Sequence, residues 1–249
     1  MPHIRKIVDA PKSKTKSLHP DIPQPPALLL LVMPCKCGKS TILSNLLLSK
    51  EFYGQEYFDV VKIISNTIDS DTTSRFLRQA YDTENTYNDR FIYDLVKSQK
   101  AYGTCEDMPS ACLVIDDCLG EKTIALDNLA SRRRHVNIGL MCVSTQLFRK
   151  VSPTIRANAT NVCIGKLQNS KELEKLVEEY ADMFDGSDNF VRLYKKAIGH
   201  APYSFLHLNL QENPAEAWIS FEKKIYPDGS NKVHNDVTEI KEENETTND

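Results

Sequence analysis

The sequence predicts an α/β fold in which a mostly parallel central sheet is flanked by helices. Three observations predict it. The apolar run Ala27 to Met33 passes through a short loop into the helix-forming run Lys39 to Lys50. β-branched and apolar runs then alternate with segments of helical period, and a second apolar run, Ala111 to Asp117, ends in two carboxylates. Uninterrupted apolar strands suit a sheet covered on both faces, and strand–helix alternation supplies the covering helices.

The first 26 residues carry Arg5, Lys6, Lys12, Lys14 and Lys16, then Pro20, Pro23, Pro25 and Pro26. This basic, proline-rich arm has no periodicity and is expected to be extended or disordered. It reads as a solubilising leader, with an arm that touches a polyanion as the alternative. The folded body is expected over 27–226.

The stretch ALLLLVMPCKCGKST is a strand leading to a phosphate-binding loop. In the pattern G-x-x-x-x-G-K-[ST] the first glycine would fall at Met33. The rest is met by Gly38, Lys39 and Ser40, with Thr41 following. Pro34, Cys35, Lys36, Cys37, Gly38, Lys39, Ser40 and Thr41 are therefore the candidate cradle for a nucleotide's phosphates at the positive end of the next helix. Gly38 lets the backbone approach the phosphates, Lys39 sets an ammonium between the terminal ones, and the Ser40 hydroxyl can join a Mg²⁺ shell. Pro34 has no N–H and biases Met33 toward an extended conformation, so the loop must turn at other residues. Lys36 offers a second ammonium, which either reaches a phosphate or faces solvent, the ordinary place for a lysine.

Phe58 to Ser65 reads as the second strand, Asp71 to Tyr81 as a helix capped by Asp71 or a nearby Thr, and Asp89 to Lys100 as a second helix after it. Ala111 to Asp117 (ACLVIDD) then delivers carboxylates to the carboxyl edge of the sheet. In a P-loop ATPase, Asp116 would hold Mg²⁺ and Asp117 would stand where a water-activating carboxylate is needed. The plainer alternative is a loop start with a helix cap. Leu126 to His135 is expected as a helix with a basic end, and Asn137 to Ser144 as a strand. Thr145 and Gln146 follow, where the amide either orients water or merely starts a turn.

Asn161 to Leu167 is expected as a strand. The helix Lys171 to Phe184, capped by Ser170, carries Leu173, Leu176, Val177 and Tyr180 on one stripe. A helix over Asn189 to Gly199 and strands over Tyr203 to Leu210 and Ala217 to Ile225 close the domain. From 227 to 249 the chain turns polar and acidic and is expected to be disordered.

The 249 residues, 41% hydrophobic, allow one large domain with a substantial core. A net charge of -3 makes any nucleic-acid contact a matter of a local patch. Seven cysteines, an odd number lying mostly in apolar runs, argue for a reducing compartment without disulfides. Cys35 and Cys37 lack a second cluster at metal-ligand spacing, which disfavours zinc, and Cys37 reads as an oxidation-sensitive loop residue. No apolar run reaches the roughly twenty residues of a membrane span.

Taken together, GKST at 38–41, VIDD at 114–117, SRRRH at 131–135, STQ at 144–146 and IRAN at 155–158 resemble the poxvirus-type DNA-packaging ATPases of large DNA viruses, within the FtsK/HerA superfamily. The resemblance covers roughly residues 27–210. It implies a RecA-like P-loop NTPase sheet in which the strand ending at Gln146 lies between the loop strand and the aspartate strand. It implies ATP and Mg²⁺ as cofactors, a homo-oligomeric ring, and double-stranded DNA and capsid or portal proteins as partners. It places the protein in the host cytoplasm at the assembly site, or in the virion. By position, Lys39 and Ser40 would bind phosphate and Mg²⁺, Asp116 would hold Mg²⁺, Asp117 would activate water and Gln146 would act as sensor. Arg134 and Arg156 are the candidates for an arginine supplied to a neighbouring subunit's site. The basic run Arg132 to Arg134 could equally line a DNA channel or form a solvated helix end. Met33-Pro34, and Asp117 in place of glutamate, depart from that family's pattern. The competing readings are a small-molecule P-loop kinase and a non-catalytic assembly protein with a decayed loop.

Overall fold

The computed structural model describes residues 21–104, 106–118 and 123–227. Among these residues nine strands form one sheet: β1 (Ala27–Val32), β2 (Val60–Ser65), β3 (Asp82–Glu84), β4 (Ala111–Asp116), β5 (Ile138–Thr145), β6 (Asn161–Ile164), β7 (Leu206–Asn209), β8 (Glu216–Ile219) and β9 (Lys223–Ile225). Their spatial order is β3-β2-β4-β5-β1-β6-β7-β8-β9. β3 through β6 in that order are parallel, and β7, β8 and β9 continue antiparallel. β5 thus lies between the loop strand β1 and the aspartate strand β4, as the resemblance implies.

Among the described residues seven α-helices accompany the sheet: α1 (Lys39–Leu48), α2 (Arg75–Ala80), α3 (Asp89–Lys100), α4 (Ile124–Arg132), α5 (Pro153–Ala157), α6 (Ser170–Tyr180) and α7 (Ser187–Ile198). The period-2 geometry of a strand sends successive side chains to opposite faces. In β1, Leu28, Leu30 and Val32 join Ile92 of α3, Leu129 of α4, Leu176 of α6 and Phe190 of α7 in one hydrophobic layer. Leu29, Leu31 and Met33 face the other layer, with Leu43 and Leu46 of α1 and Leu77 of α2. Both faces are covered, which is why β1 reads as an unbroken apolar run.

The differences from the sequence reading lie at element ends. Residues 1–20 and 228–249 fall outside the described residues, so the expected disorder of most of both arms does too. The packed body begins before residue 27: Ile22 is buried, and the Tyr53 hydroxyl donates to the Pro23 carbonyl. The Asp71–Tyr81 helix starts only at Arg75, because Asp71 bonds the Thr73 N–H and the Ser74 hydroxyl in a turn ahead of it. The short edge strand Asp82–Glu84 carries no apolar alternation, so the sequence does not predict it. α6 is capped by Asn169, whose side chain accepts from the Lys171 N–H, and not by Ser170. The expected strand Ala217–Ile225 is a hairpin, β8 and β9, broken at Ser220 with φ 53°. The expected helix Leu126–His135 is α4 followed by a 3-10 turn over Arg133–Val136.

Candidate active site at the carboxyl edge of the sheet

The parallel strands all end at one edge, where ligands of open α/β sheets bind. β1 arrives there with Met33 still in the ladder: its N–H donates to the Thr145 carbonyl at 3.0 Å. The Met33 side chain is fully buried and lies against Gly165, where an added Cβ would come within 2.9 Å of Met33 Cγ. Met33 therefore serves the core, and Gly165 makes room for it. β6 ends at Ile164 and not at Leu167, with the Gly165 N–H still donating to the Val32 carbonyl at 3.0 Å. The turning of the loop is done by Lys36 and Gly38, at φ 61° and 93°. Gly38 is the N-cap of α1, and its carbonyl accepts the first helical bond from Ile42 N–H at 2.9 Å. Pro34 is half-buried, Cys37 lies beside the Lys166 carbonyl, and Cys35, Lys36 and Thr41 are exposed.

Lys39 is only 9% exposed, and its ammonium reaches across to Asp117 Oδ2 at 2.5 Å. Asp117 stands one residue past β4 in the left-handed region, φ 49°. It is held there by its N–H to the Ser144 carbonyl (3.0 Å) and by Asn66 Nδ2, which donates to its carbonyl (3.2 Å). The same Oδ2 accepts from Gln146 Nε2 at 3.3 Å. Three residues read from the sequence as catalytic, Lys39, Asp117 and Gln146, thus share one oxygen.

Asp116 is buried, and its Oδ2 accepts from the Ser65 hydroxyl at 2.8 Å. Its Oδ1 makes no well-aligned hydrogen bond, although the Ser144 hydroxyl lies beside the carboxyl. Burial pushes the Asp116 carboxyl above its ordinary range, the Ser144 and Ser65 hydroxyls oppose this, and Asp117 adds to it. An orphaned buried carboxylate oxygen beside a phosphate loop is what a divalent cation would satisfy. Ser40 and Asp116 fit Mg²⁺ on that ground.

The sequence reading missed Asp71 as a site residue and saw only a cap. Burial works to raise its carboxyl, but hydrogen bonding with Ser40, Ser74 and Thr73 outweighs it and holds the group below the usual range. The Asp71 carboxylate thus sits beside Ser40. Nothing in the local sequence separates such an aspartate from an ordinary turn residue.

The two candidate arginines do not join this cluster. Arg134 lies in the turn before β5, at the opposite end of an eight-residue strand. At about 3.3 Å per residue, that is roughly 25 Å from Gln146. Its neighbour Arg133 is buried, with Nη1 donating to the Ala130 carbonyl, and burial pushes its guanidinium down to about 10, with Arg134 adding to the shift. Arg156 is tied to Glu179 at 2.7 Å and stacks on Phe148 at 5.3 Å. Any role of either arginine in hydrolysis would be in a neighbouring copy.

No family model and no curated protein matches the sequence. Solved structures do. The genome packaging NTPase B204 from Sulfolobus turreted icosahedral virus 2, in complex with ATPγS, aligns with TM-score 0.53 at 18% identity, over 78% of this chain and 98% of its own. The fold is that of a P-loop NTPase. The DNA-packaging ATPase B204 from Sulfolobus turreted icosahedral virus aligns with TM-score 0.54 at 16% identity, over 78% and 97%. The cytoplasmic domain of the type VII secretion ATPase EccC from Thermomonospora curvata gives TM-score 0.52 at 12% identity, over 78% of this chain and 25% of that one.

Proposed function

We propose that this chain is an ATP-hydrolysing motor that moves double-stranded DNA into a viral capsid. The observation that carries the enzymatic part is the convergence of Lys39, Asp117 and Gln146 on one oxygen at the mouth of the phosphate loop, above the orphaned Asp116 carboxylate. The packaging part is supported by the likeness to B204 along nearly the whole of that chain.

The ammonium of Lys39 can hold either Asp117 or the terminal phosphates of ATP. Trading the first for the second would leave the Asp117 carboxylate bonded to Gln146 alone. The carboxylate could then take the proton of a water that the Gln146 amide orients, as a general base. Mg²⁺ held by Ser40 and Asp116 would neutralise charge on the phosphates. Asp71, through its contact with Ser40, would fix that hydroxyl's direction.

The duplex, a capsid or portal protein, a ring of copies, and a site of action in the host cytoplasm or virion belong to the same proposal. Arg134, exposed at the far edge of the sheet, is the better placed of the two arginines to reach a neighbour. Among the described residues no helix is long and apolar enough to cross a membrane. The test is Mg-ATP binding and hydrolysis by the wild type and Lys39→Ala. The proposal expects turnover in the first and none in the second, and equal turnover would refute it.

A further inference from the structure

The terminal-phosphate end of the loop faces β4 and β5, because Lys39 points to Asp117 and Gln146. In the sheet order β4-β5-β1-β6-β7, a triphosphate laid across the start of α1 must send its nucleoside the other way, over β6 and β7. A groove of ≈ 530 Å³ opens there, its walls including Lys36 and Cys37 from the phosphate loop, Lys166 after β6, and His200, Tyr203 and Ser204 from the turn before β7. The Cys37 thiol lies 3.8 Å from the Lys166 carbonyl and joins two of these walls. A volume of this size is in the range of small-ligand sites.

Tyr203 is the unusual member. It is 74% exposed, the most exposed of the large hydrophobic residues described, and its φ is 67°. Among the described non-glycine residues with positive φ it is the only aromatic one. A bulky side chain in that region is strained, and such strain persists only where the surrounding structure enforces it. The ring belongs to neither hydrophobic layer. It stands instead against the loop: a Cβ placed on Gly38 would lie 4.0 Å from both Tyr203 Cβ and Cδ1.

We propose that this groove is a nucleobase site in which the Tyr203 ring stacks on the base of the bound nucleotide, with Lys36 and Lys166 beside the sugar and first phosphate. The inference rests on the nucleotide-binding reading of the loop and adds where the nucleoside goes. Stacking on an exposed ring uses the π-face that every base has, so the site accepts purine and pyrimidine nucleotides alike.

The test compares ADP, ATP and GTP with inorganic tripolyphosphate by titration calorimetry, in Mg²⁺ buffer, for the wild type, Tyr203→Gly and Tyr203→Phe. Glycine removes the ring and also relieves the backbone strain, so Tyr203→Gly should melt no lower than wild type. It should bind ADP and ATP about 10-fold more weakly and tripolyphosphate unchanged, and Tyr203→Phe should bind all ligands as wild type does. ATP and GTP should differ less than about 5-fold in the wild type. Equal ADP affinity in wild type and Tyr203→Gly, parallel loss of ADP and tripolyphosphate, or a preference for ATP over GTP above about 100-fold would overturn the stacking site. A wild type that binds tripolyphosphate tightly but ATP no better would overturn it while leaving the phosphate loop intact. A wild type that binds neither overturns the nucleotide reading with it.

Discussion

Asp117→Asn separates binding from chemistry, because Asp117 and a phosphate compete for the same ammonium. The Lys39–Asp117 contact is 2.5 Å long, with the two side chains 9% and 17% exposed, so solvent screens it little. Unit charges about 4 Å apart attract by about 4 kcal/mol at an effective dielectric of 20, but desolvation consumes much of this. A hydrogen bond to a charged group is worth about 1.5–3 kcal/mol net. Asparagine keeps the shape and an acceptor for Gln146 while discarding the charge. Lys39 then gives up less on meeting a phosphate, and repulsion between carboxylate and phosphate vanishes. At about 1.4 kcal/mol per decade, ATP should bind about 10-fold or more tighter. Loss of the base should lower hydrolysis by about 10²–10⁴-fold. The nucleotide-free variant should melt below wild type, since Lys39 is left buried without its counterion, and nucleotide should restore it. Titration calorimetry with ATP, single-turnover hydrolysis and melting curves read all three. Weaker ATP binding than wild type, or hydrolysis within about fivefold of it, would refute the reasoning.

Asp116→Asn should melt no lower than wild type at neutral pH while hydrolysis falls by more than about 100-fold. The folded carboxyl is raised by burial, so its contribution to stability is favourable below the unfolded pKa and is lost as pH rises through the folded one. His207 is buried against Phe221, its Nε2 at 3.1 Å from Asn161, and burial pushes its imidazole down to about 3. The unfolded chain takes up this proton near pH 6.5, so stability is full above that pH and declines as pH falls toward 3. Between pH 7 and pH 5 the loss should be about 2 kcal/mol, and His207→Gln should flatten that part of the urea-midpoint profile. Gly38→Ala meets no atom closer than 4.0 Å but inherits φ 93°, so its cost of about 1–3 kcal/mol comes from the backbone. It should appear both as a lower melting temperature and as weaker ATP binding.

What the sequence made legible was what composition and period encode directly. The run Ala27 to Met33 is apolar on both faces because helices cover both, and ACLVIDD ends in carboxylates at the carboxyl edge of a parallel sheet, the edge where open α/β sheets bind ligands. Lys39, Asp117 and Gln146 could be paired in advance because each ends or follows a strand of one parallel sheet. Contacts between distant segments stayed hidden. Met33 stands where the loop pattern has its first glycine, and the reason lies more than a hundred residues later, in the space that Gly165 leaves for it. Asp71 carried the signature of a turn, and its approach to Ser40 depends on how far the chain after β2 folds back over α1. Asn169 instead of Ser170 as the cap of α6 is a one-residue choice between two good capping side chains. Arg134 and Arg156 were grouped by motif, yet the length of β5 separates the first from the site and Glu179 holds the second.

The most direct test of the central claim is the steady-state ATP hydrolysis rate of the wild-type chain with and without duplex DNA, across a range of salt concentrations. A DNA-moving ATPase predicts stimulation by duplex that weakens as salt rises, because each phosphate contact releases counterions, and predicts its abolition in Lys39→Ala. Hydrolysis that is indifferent to duplex DNA at every salt concentration would contradict it.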